Sequence, residues 1–289
     1  VSVFYITKAS GEKEQFDATK VRLSLKHSGV QEPLITTILE ELKQEKPQST
    51  RDIHRFIVGR LEQEQPSLAA RYNLKQALLE LGPAGFPFEQ FIAQLFQELG
   101  YLTATDQMVR GFCVTHEIDI IATKEQKRFF VECKFHNRPD LASEVKVTLY
   151  MQAAFEDIVK KLHHSTTNQT HNSSPTTPIT SWGCWGITNT RFTTEAKTYA
   201  TCVGMRLTSW KYPVGNGLAE LIDRLGLHPV TALTLLTHAQ KKALIAHGCV
   251  LCRDIKNHAD TLKSFCFSDA HIKKIITEAQ ATCSCIKKG

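Results

Sequence analysis

The spacing of apolar positions divides the chain into a helical start, a strand-rich middle and a helical end. "VFYITK", "ASGE" and "KEQF" read as strand, turn and returning strand, a β-hairpin over residues 1–16. Asp17 then caps a helix through "ATKVRLSLKHSG", with Gly29 as its stop. "LITTILEELKQ", "STRDIHRFIVGRLEQEQ" and "SLAARYNLKQALLELG" predict three more amphipathic helices. In the second of these, Ser49 or Thr50 is the cap, and Ile53, Phe56, Ile57 and Leu61 fall at helical spacing. A hairpin and four helices form a unit of about 80 residues, near the small end of the domain range.

"GPAGFPF" at 82–88 punctuates the chain, and the pattern changes beyond it. "FEQFIAQLFQELG" is an amphipathic helix. The strand-like "HEIDIIAT" and "RFFVECKF" follow, separated by the charged turn "KEQK", and then a helix through "VTLYMQAAFEDIVKKLHH". The polar segment at 165–181 reads as a mobile loop. A buried-strand pattern returns at "WGCWGITNT", followed by a helix at "TTEAKTYATCVG" and a short strand at "MRLTSW". Strands alternating with helices predict an α/β core with a covered sheet. From about residue 215 the chain reads as short helices: "GLAELIDRLG", "TALTLLTHAQKKALIAHG", "CVLCRDI" and "DAHIKKIITEAQATC".

A length of 289 residues fits two or three domains, and the pattern places them at 1–83, 84–213 and 214–289. The hydrophobic fraction of 42% is ordinary, and no apolar run approaches the ~20 residues that span a bilayer. No membrane partner is expected. The first residues lack the basic and apolar pattern of a signal peptide. Nine cysteines is an odd count, and Cys113, Cys133, Cys184 and Cys202 lie in apolar runs, as buried thiols do. A reducing compartment, and so the cytoplasm, is the expectation. The formal charge of +6 permits contact with a polyanion without requiring it.

The sharpest chemical question lies in "FFVECKFHN", where Glu132 and Lys134 end an apolar run. Desolvating an unpaired charge costs several kcal/mol or more, so the two form an ion pair on an edge strand or take part in chemistry. Asp119 stands thirteen residues before Glu132, across a short turn. A hairpin there would bring Asp119, Glu132 and Lys134 together at one edge of the sheet. Close carboxylates repel unless a cation lies between them, and oxygen ligands suit Mg²⁺ or Mn²⁺. Lys134 would then orient a water or neutralise charge in a phosphoryl transition state. Glu89, at the start of the helix after the boundary, offers a third carboxylate.

"FEQFIAQLFQELGY", "HEIDIIA", "VECKFHN" and "WGITNTRFTTEAKTYA" together resemble the Mrr-like branch of the PD-(D/E)XK superfamily over roughly residues 86–212. The resemblance implies a restriction-endonuclease-like mixed sheet and a metal-dependent phosphodiesterase acting on DNA. Asp119, Glu132 and Lys134 would form its catalytic core, and Glu89 would match the acidic residue of the family's first core helix. His116, Glu117 and His136 flank this core, either as second-layer residues or as solvated strand ends. Lys146 and the lysine pair at 160–161 could track phosphates or simply line a solvated helix face.

"ITKASGEKEQFDATKVRLSL", "TRDIHRFIVGRLEQ" and "AARYNLKQAL" resemble an ATP-cone over about residues 3–82. That resemblance implies ATP or dATP as a regulatory ligand. Lys8 and Lys20 would meet its phosphates, and the turn at Gly11 would let the backbone approach. Ala9 and Ser10 stand where Arg-Asp usually precede the glycine, and a cone kept only for docking or dimerisation is the alternative. No Gly-x-x-x-x-Gly-Lys-Ser/Thr run occurs, so ATP hydrolysis is not expected. At the other end, Cys249, Cys252, Cys283 and Cys285 could bind zinc, but free or buried thiols are favoured. Lys241 and Lys242 are candidate DNA-backbone contacts on a small helical module.

Together these readings predict an α/β protein: a nuclease core between an N-terminal, mainly helical cone and a small C-terminal helical domain. The expected activity is Mg²⁺-dependent DNA cleavage in defence, by a homo-oligomer under nucleotide control. The rivals are a repair or junction-processing nuclease and a non-cleaving, nucleotide-responsive DNA-binding regulator.

Overall fold

The computed structural model describes residues 4–8, 10–82, 84–166 and 179–284. The chain forms two compact units, one from residues 1–80 together with 223–289 and the other from residues 81–222. Most of the polar segment at 165–181 lies outside the described residues, as do Ala9, Pro83 and Cys285.

In the first unit, β1 (Tyr5–Thr7) pairs antiparallel with β2 (Lys13–Gln15), Ile6 facing Glu14. Helix α1 (Ala18–His27) starts where Asp17 Oδ1 accepts the main-chain N–H groups of Thr19 at 2.8 Å and Lys20 at 3.4 Å. Helices α2 (Glu32–Glu45) and α3 (Thr50–Glu64, capped by Ser49) follow. Leu25, Ile35, Ile38, Leu42, Ile57 and Leu61 form the core beneath them. The single helix expected over 67–82 divides into α4 (Pro66–Tyr72) and α5 (Leu74–Leu79). Asn73 between them has ψ near 0, flattened from the helical value, at a residue type disfavoured inside helices.

The C-terminal stretch completes this unit. Helix α9 (Leu218–Leu225) leads into it, and α10 (His238–Ala246), α11 (Ala259–Ser264) and α12 (Asp269–Cys283) follow. The long helix expected from Thr231 starts only at His238, because Thr237 and Gln240 form a capping box there. "CVLCRDI" contributes a 3₁₀ segment, Cys252–His258, rather than an α-helix. Helix α12 packs on α4, and Arg71 holds its end by donating to the carbonyls of Ala281 (2.6 Å), Thr282 (3.0 Å) and Ser284 (2.5 Å).

The second unit carries α6 (Phe86–Glu98), β3 (Leu102–Arg110), β4 (Thr115–Lys124), β5 (Lys127–Lys134), β6 (Ala142–Ser143) and α7 (Val145–Thr166). It ends with β7 (Ser181–Thr188), β8 (Arg191–Phe192), α8 (Thr194–Val203) and β9 (Arg206–Thr208). The main sheet runs β3-β4-β5-β7-β9, antiparallel across β3, β4 and β5 and parallel across β5, β7 and β9. The α/β class is as expected. Phe129 and Trp185 meet Phe96 and Tyr101 on one face, while Phe130 and Cys184 meet Phe155 and Met151 of α7 on the other. Strand β3 was not expected, because its Thr, Asp and Gln are atypical of a buried strand. It is an edge strand whose alternate residues face solvent.

Strand β5 occupies the middle of the sheet, which removes the reading of Glu132 and Lys134 as an edge-strand pair. Cys113 and Cys202, expected to be buried, are exposed, the first at a hairpin turn and the second on the solvent side of α8. Among the described residues no helix is long and apolar enough to cross a membrane.

Candidate functional site

The site forms where two interior strands part. β4 and β5 pair from Ile120↔Val131 to Lys124↔Lys127 and no further. Beyond that point β4 stays with β3, while Glu132, Cys133 and Lys134 pair with Gly186, Ile187 and Thr188 of β7. Asp119 stands at the fork and spans it, its Oδ2 accepting the Cys133 N–H at 2.6 Å. A carboxylate thus replaces the main-chain acceptor that the diverging ladder withdraws. The platform behind is closely packed. A Cβ on Gly186, opposite Glu132, would lie 2.8 Å from Leu207 and 2.9 Å from Met151. Glu89 enters from the first turn of α6, its N–H donating to the Gly85 carbonyl at 3.0 Å.

These carboxyl groups sense one another. Burial, then Asp119 and other acids, push Glu132 up to about 8, against an opposing pull from Lys134. Glu89 is pushed up to about 7 by burial, then by Asp119, Glu117 and Asp106. Asp119 is also raised, mainly by burial, despite the hydrogen bond from Cys133 and the charge of Lys134. Bringing like charges together at reduced solvation is the physical cause in each case. Lys134 is exposed, and Cys133 is buried. Glu89, Asp119 and Glu132 carry the oxygen donors a hard cation prefers. Among the described residues, however, no three His, Cys, Asp or Glu side chains are arranged to hold a metal ion.

The other expected residues divide. Glu117 is exposed on β4 and lies near enough to raise Asp119, Glu89 and Glu132. His116 turns to α7, its Nε2 lying 2.8 Å from Asp157. That carboxylate also accepts the N–H groups of Cys113 (2.8 Å) and Val114 (3.2 Å). The His116 bond and these amides hold Asp157 well below the usual carboxylate range. His136 follows Lys134 by two residues, with Nε2 at 3.0 Å from Ser143 Oγ. Lys146 is exposed in the first turn of α7.

In the other unit, Lys8 pairs with Glu12 at 3.1 Å and Glu14 at 2.9 Å, and Lys20 pairs with Glu14 at 3.2 Å. Gly11 has φ +86 in the β1–β2 turn, which glycine adopts readily. Lys241 and Lys242 lie on α10, the former near enough to Glu62 to lower its pKa. Cys249 and Cys252 are buried free thiols.

Sequence reasoning missed three supporting groups. Asp106 falls opposite Asp119, between the pairs Thr105↔Ile120 and Gln107↔Ile118, with φ +53. An aspartate in a non-glycine left-handed conformation is uncommon, but only recognition of β3 would have placed it there. Asn189 clamps the chain after Lys134, accepting the His136 N–H at 2.8 Å and donating to the His136 carbonyl at 2.7 Å. Asp157 reaches the β3–β4 turn from 41 residues beyond His116, a separation no local pattern bridges.

Comparison with known proteins bears on lineage. An uncharacterized protein of Archaeoglobus fulgidus is 35% identical over 190 residues, spanning 65% of this chain and 98% of the relative. The chain belongs to the AF1548-like family. The family model "AF1548-like, C-terminal" matches residues 228–283. A solved structure titled "Crystal Structure of Protein of Unknown Function AF1548" superposes with a TM-score of 0.53 at 32% identity, covering 69% of this chain and 98% of that one.

Proposed function

We propose that residues 81–222 form a metal-dependent nuclease of the PD-(D/E)XK type that hydrolyses DNA phosphodiester bonds. The observation that carries this reading is the fork, where burial raises the pKa of Asp119, Glu132 and Glu89, Asp119 raises both glutamates and Glu89 raises Glu132, beside the exposed Lys134. Buried carboxyl groups gathered in this way are costly to keep and cluster at functional sites. Asp119 and Glu132 would hold Mg²⁺ or Mn²⁺, with the Cys133 carbonyl and Glu89 in support. Such an ion supplies a Lewis acid for a phosphoryl oxygen and a bound water of lowered pKa. Lys134 orients the attacking water and offsets charge developing on the phosphate. Glu89, at about 7, exchanges a proton near neutral pH and serves as a proton relay.

For the N-terminal segment we propose an ATP-cone that takes ATP or dATP as a regulatory ligand. Lys8 and Lys20 converge on Glu14, so triphosphate oxygens would take the position of that carboxylate.

The deciding experiment is cleavage of supercoiled plasmid with MgCl₂ by the full chain, Asp119→Ala and Lys134→Ala. The wild type is expected to cut at least about 100-fold faster than either variant. Equal rates for all three would sink the enzyme reading and leave a non-cleaving DNA-binding regulator. Calorimetry on the full chain tests the cone: ATP should bind, and Lys8→Ala should weaken it.

A further inference from the structure

The C-terminal stretch gathers Cys249, Cys252 and Cys283 in one apolar cluster. Pro229 and Leu251 form an isolated β-bridge, with Val230 N–H donating to Val250 O at 2.8 Å and Cys252 N–H to His228 O at 2.9 Å. The bridge fixes Cys252 beside His228. Cys252 is fully buried, and its thiol points at Pro229 O, 3.1 Å away. The last residue of α12, Cys283, packs into the same apolar cluster as Cys249 and Cys252 but keeps partial exposure. The Cys252 and Cys283 side chains lie within interaction range of each other, and the His228 main-chain N–H lies near Cys283.

The two thiols differ in character. Cys252 has its ionisation suppressed by burial, as expected of a desolvated thiol. Cys283 moves the other way. The neighbouring Cys252 side chain, the His228 main-chain N–H and the charges of Arg253 and Arg71 favour its thiolate. The end of a helix would ordinarily disfavour an anion. Here Arg71 lies against that end, donating to the carbonyls of Ala281, Thr282 and Ser284. A partly exposed, cation-flanked thiol touching a buried one is the arrangement of an entering and a resolving cysteine.

We infer that Cys283 and Cys252 form a dithiol site that reacts with low-molecular-weight disulfides and closes into an intramolecular disulfide. The Cys283 thiolate attacks one sulfur of RS–SR, forming a mixed disulfide and expelling RS⁻. Cys252 then gives up its proton and attacks the Cys283 sulfur, breaking the mixed disulfide and expelling the second RS⁻. In sum, two protein thiols are oxidised, RS–SR is reduced, and two RSH leave. The bond would tie the end of α12 to the 3₁₀ segment at Cys252–His258, within the segment matched by the family model.

The test uses the full chain carrying Cys285→Ser, incubated with oxidised glutathione, alkylated and mapped without reduction. Most molecules should carry a Cys252–Cys283 cross-link, and their melting temperature should rise by several degrees and fall back on reduction. In Cys252→Ala, glutathione should instead accumulate on Cys283. Absence of the cross-link, or a link made through Cys249, overturns the inference. So does an equal yield of the Cys283–glutathione adduct with and without Cys252. Because Cys283 is partly exposed, Cys283→Ser keeps the fold and should abolish both products.

Discussion

The two charged corners of this protein solve the same problem in opposite ways. At the β1–β2 hairpin, Lys8 and Lys20 share Glu14, and each partner strengthens the other's charged state: Glu14 is lowered and Lys8 raised. At the β4–β5 fork, three carboxyl groups are all raised, with Lys134 opposing the shift at Asp119 and Glu132. The hairpin is electrostatically satisfied as it stands. The fork holds like charges that the fold would be more stable without. Folding retains such a conflict where a ligand or a reaction relieves it, and that contrast directs the functional proposal to the fork.

Four measurements test that difference. The largest effect should come from Asp119→Ala or Lys134→Ala on plasmid cleavage, a loss of about 100-fold or more. Next is the platform: Gly186→Val would press into Leu207 and Met151 opposite Glu132, destabilising the chain by about 2–3 kcal/mol in urea.

Third comes pH. Glu132, at 4.5 unfolded and about 8 folded, keeps a proton that the unfolded chain releases. The native state then binds more protons than the unfolded state. This contribution is full below pH 4.5 and is lost as pH rises to about 8, with Glu89 adding its part up to about 7. In EDTA the wild type should lose on the order of 2 kcal/mol between pH 5 and 8, after discounting for partial solvation. Glu132→Gln should flatten that slope, and an unchanged slope would mean the fold does not hold Glu132 protonated. The smallest effect belongs to the hairpin. Glu14→Gln removes the carboxylate that Lys8 and Lys20 share, leaving Lys8 with Glu12 alone, and should tighten ATP by roughly threefold to tenfold, with little change in melting temperature. Weaker binding would make Glu14 part of the ligand site rather than its competitor.

Much of the fold was legible because the signals are local. Asp17 and Ser49 cap helices at the positions their side chains predict, and "KEQK" turns between two strands whose apolar residues fill a sheet. The errors have local causes too. Asn73 divides a helix that apolar spacing alone would continue, and Thr237 starts α10 seven residues after the apolar pattern suggests. The candidate site was partly legible: Glu89, Asp119, Glu132 and Lys134 could be named, but not Asp106, Asn189 or Asp157. Those three act across strands or from distant segments, where neither period nor spacing carries information.

The sequence by itself determined which residues make helices and strands, and it set two acids and a lysine at the ends of strands joined by a short turn. Tertiary structure decided that β5 lies inside the sheet, that β4 and β5 part at Asp119, and that Glu89 comes near Asp119 and Glu132. It also decided that Lys8 and Lys20 meet one glutamate, and that Cys252 meets Cys283 from 31 residues away. The physical reason is range. Backbone propensity and capping act over a few residues, whereas burial and charge interaction depend on whichever segments packing brings together.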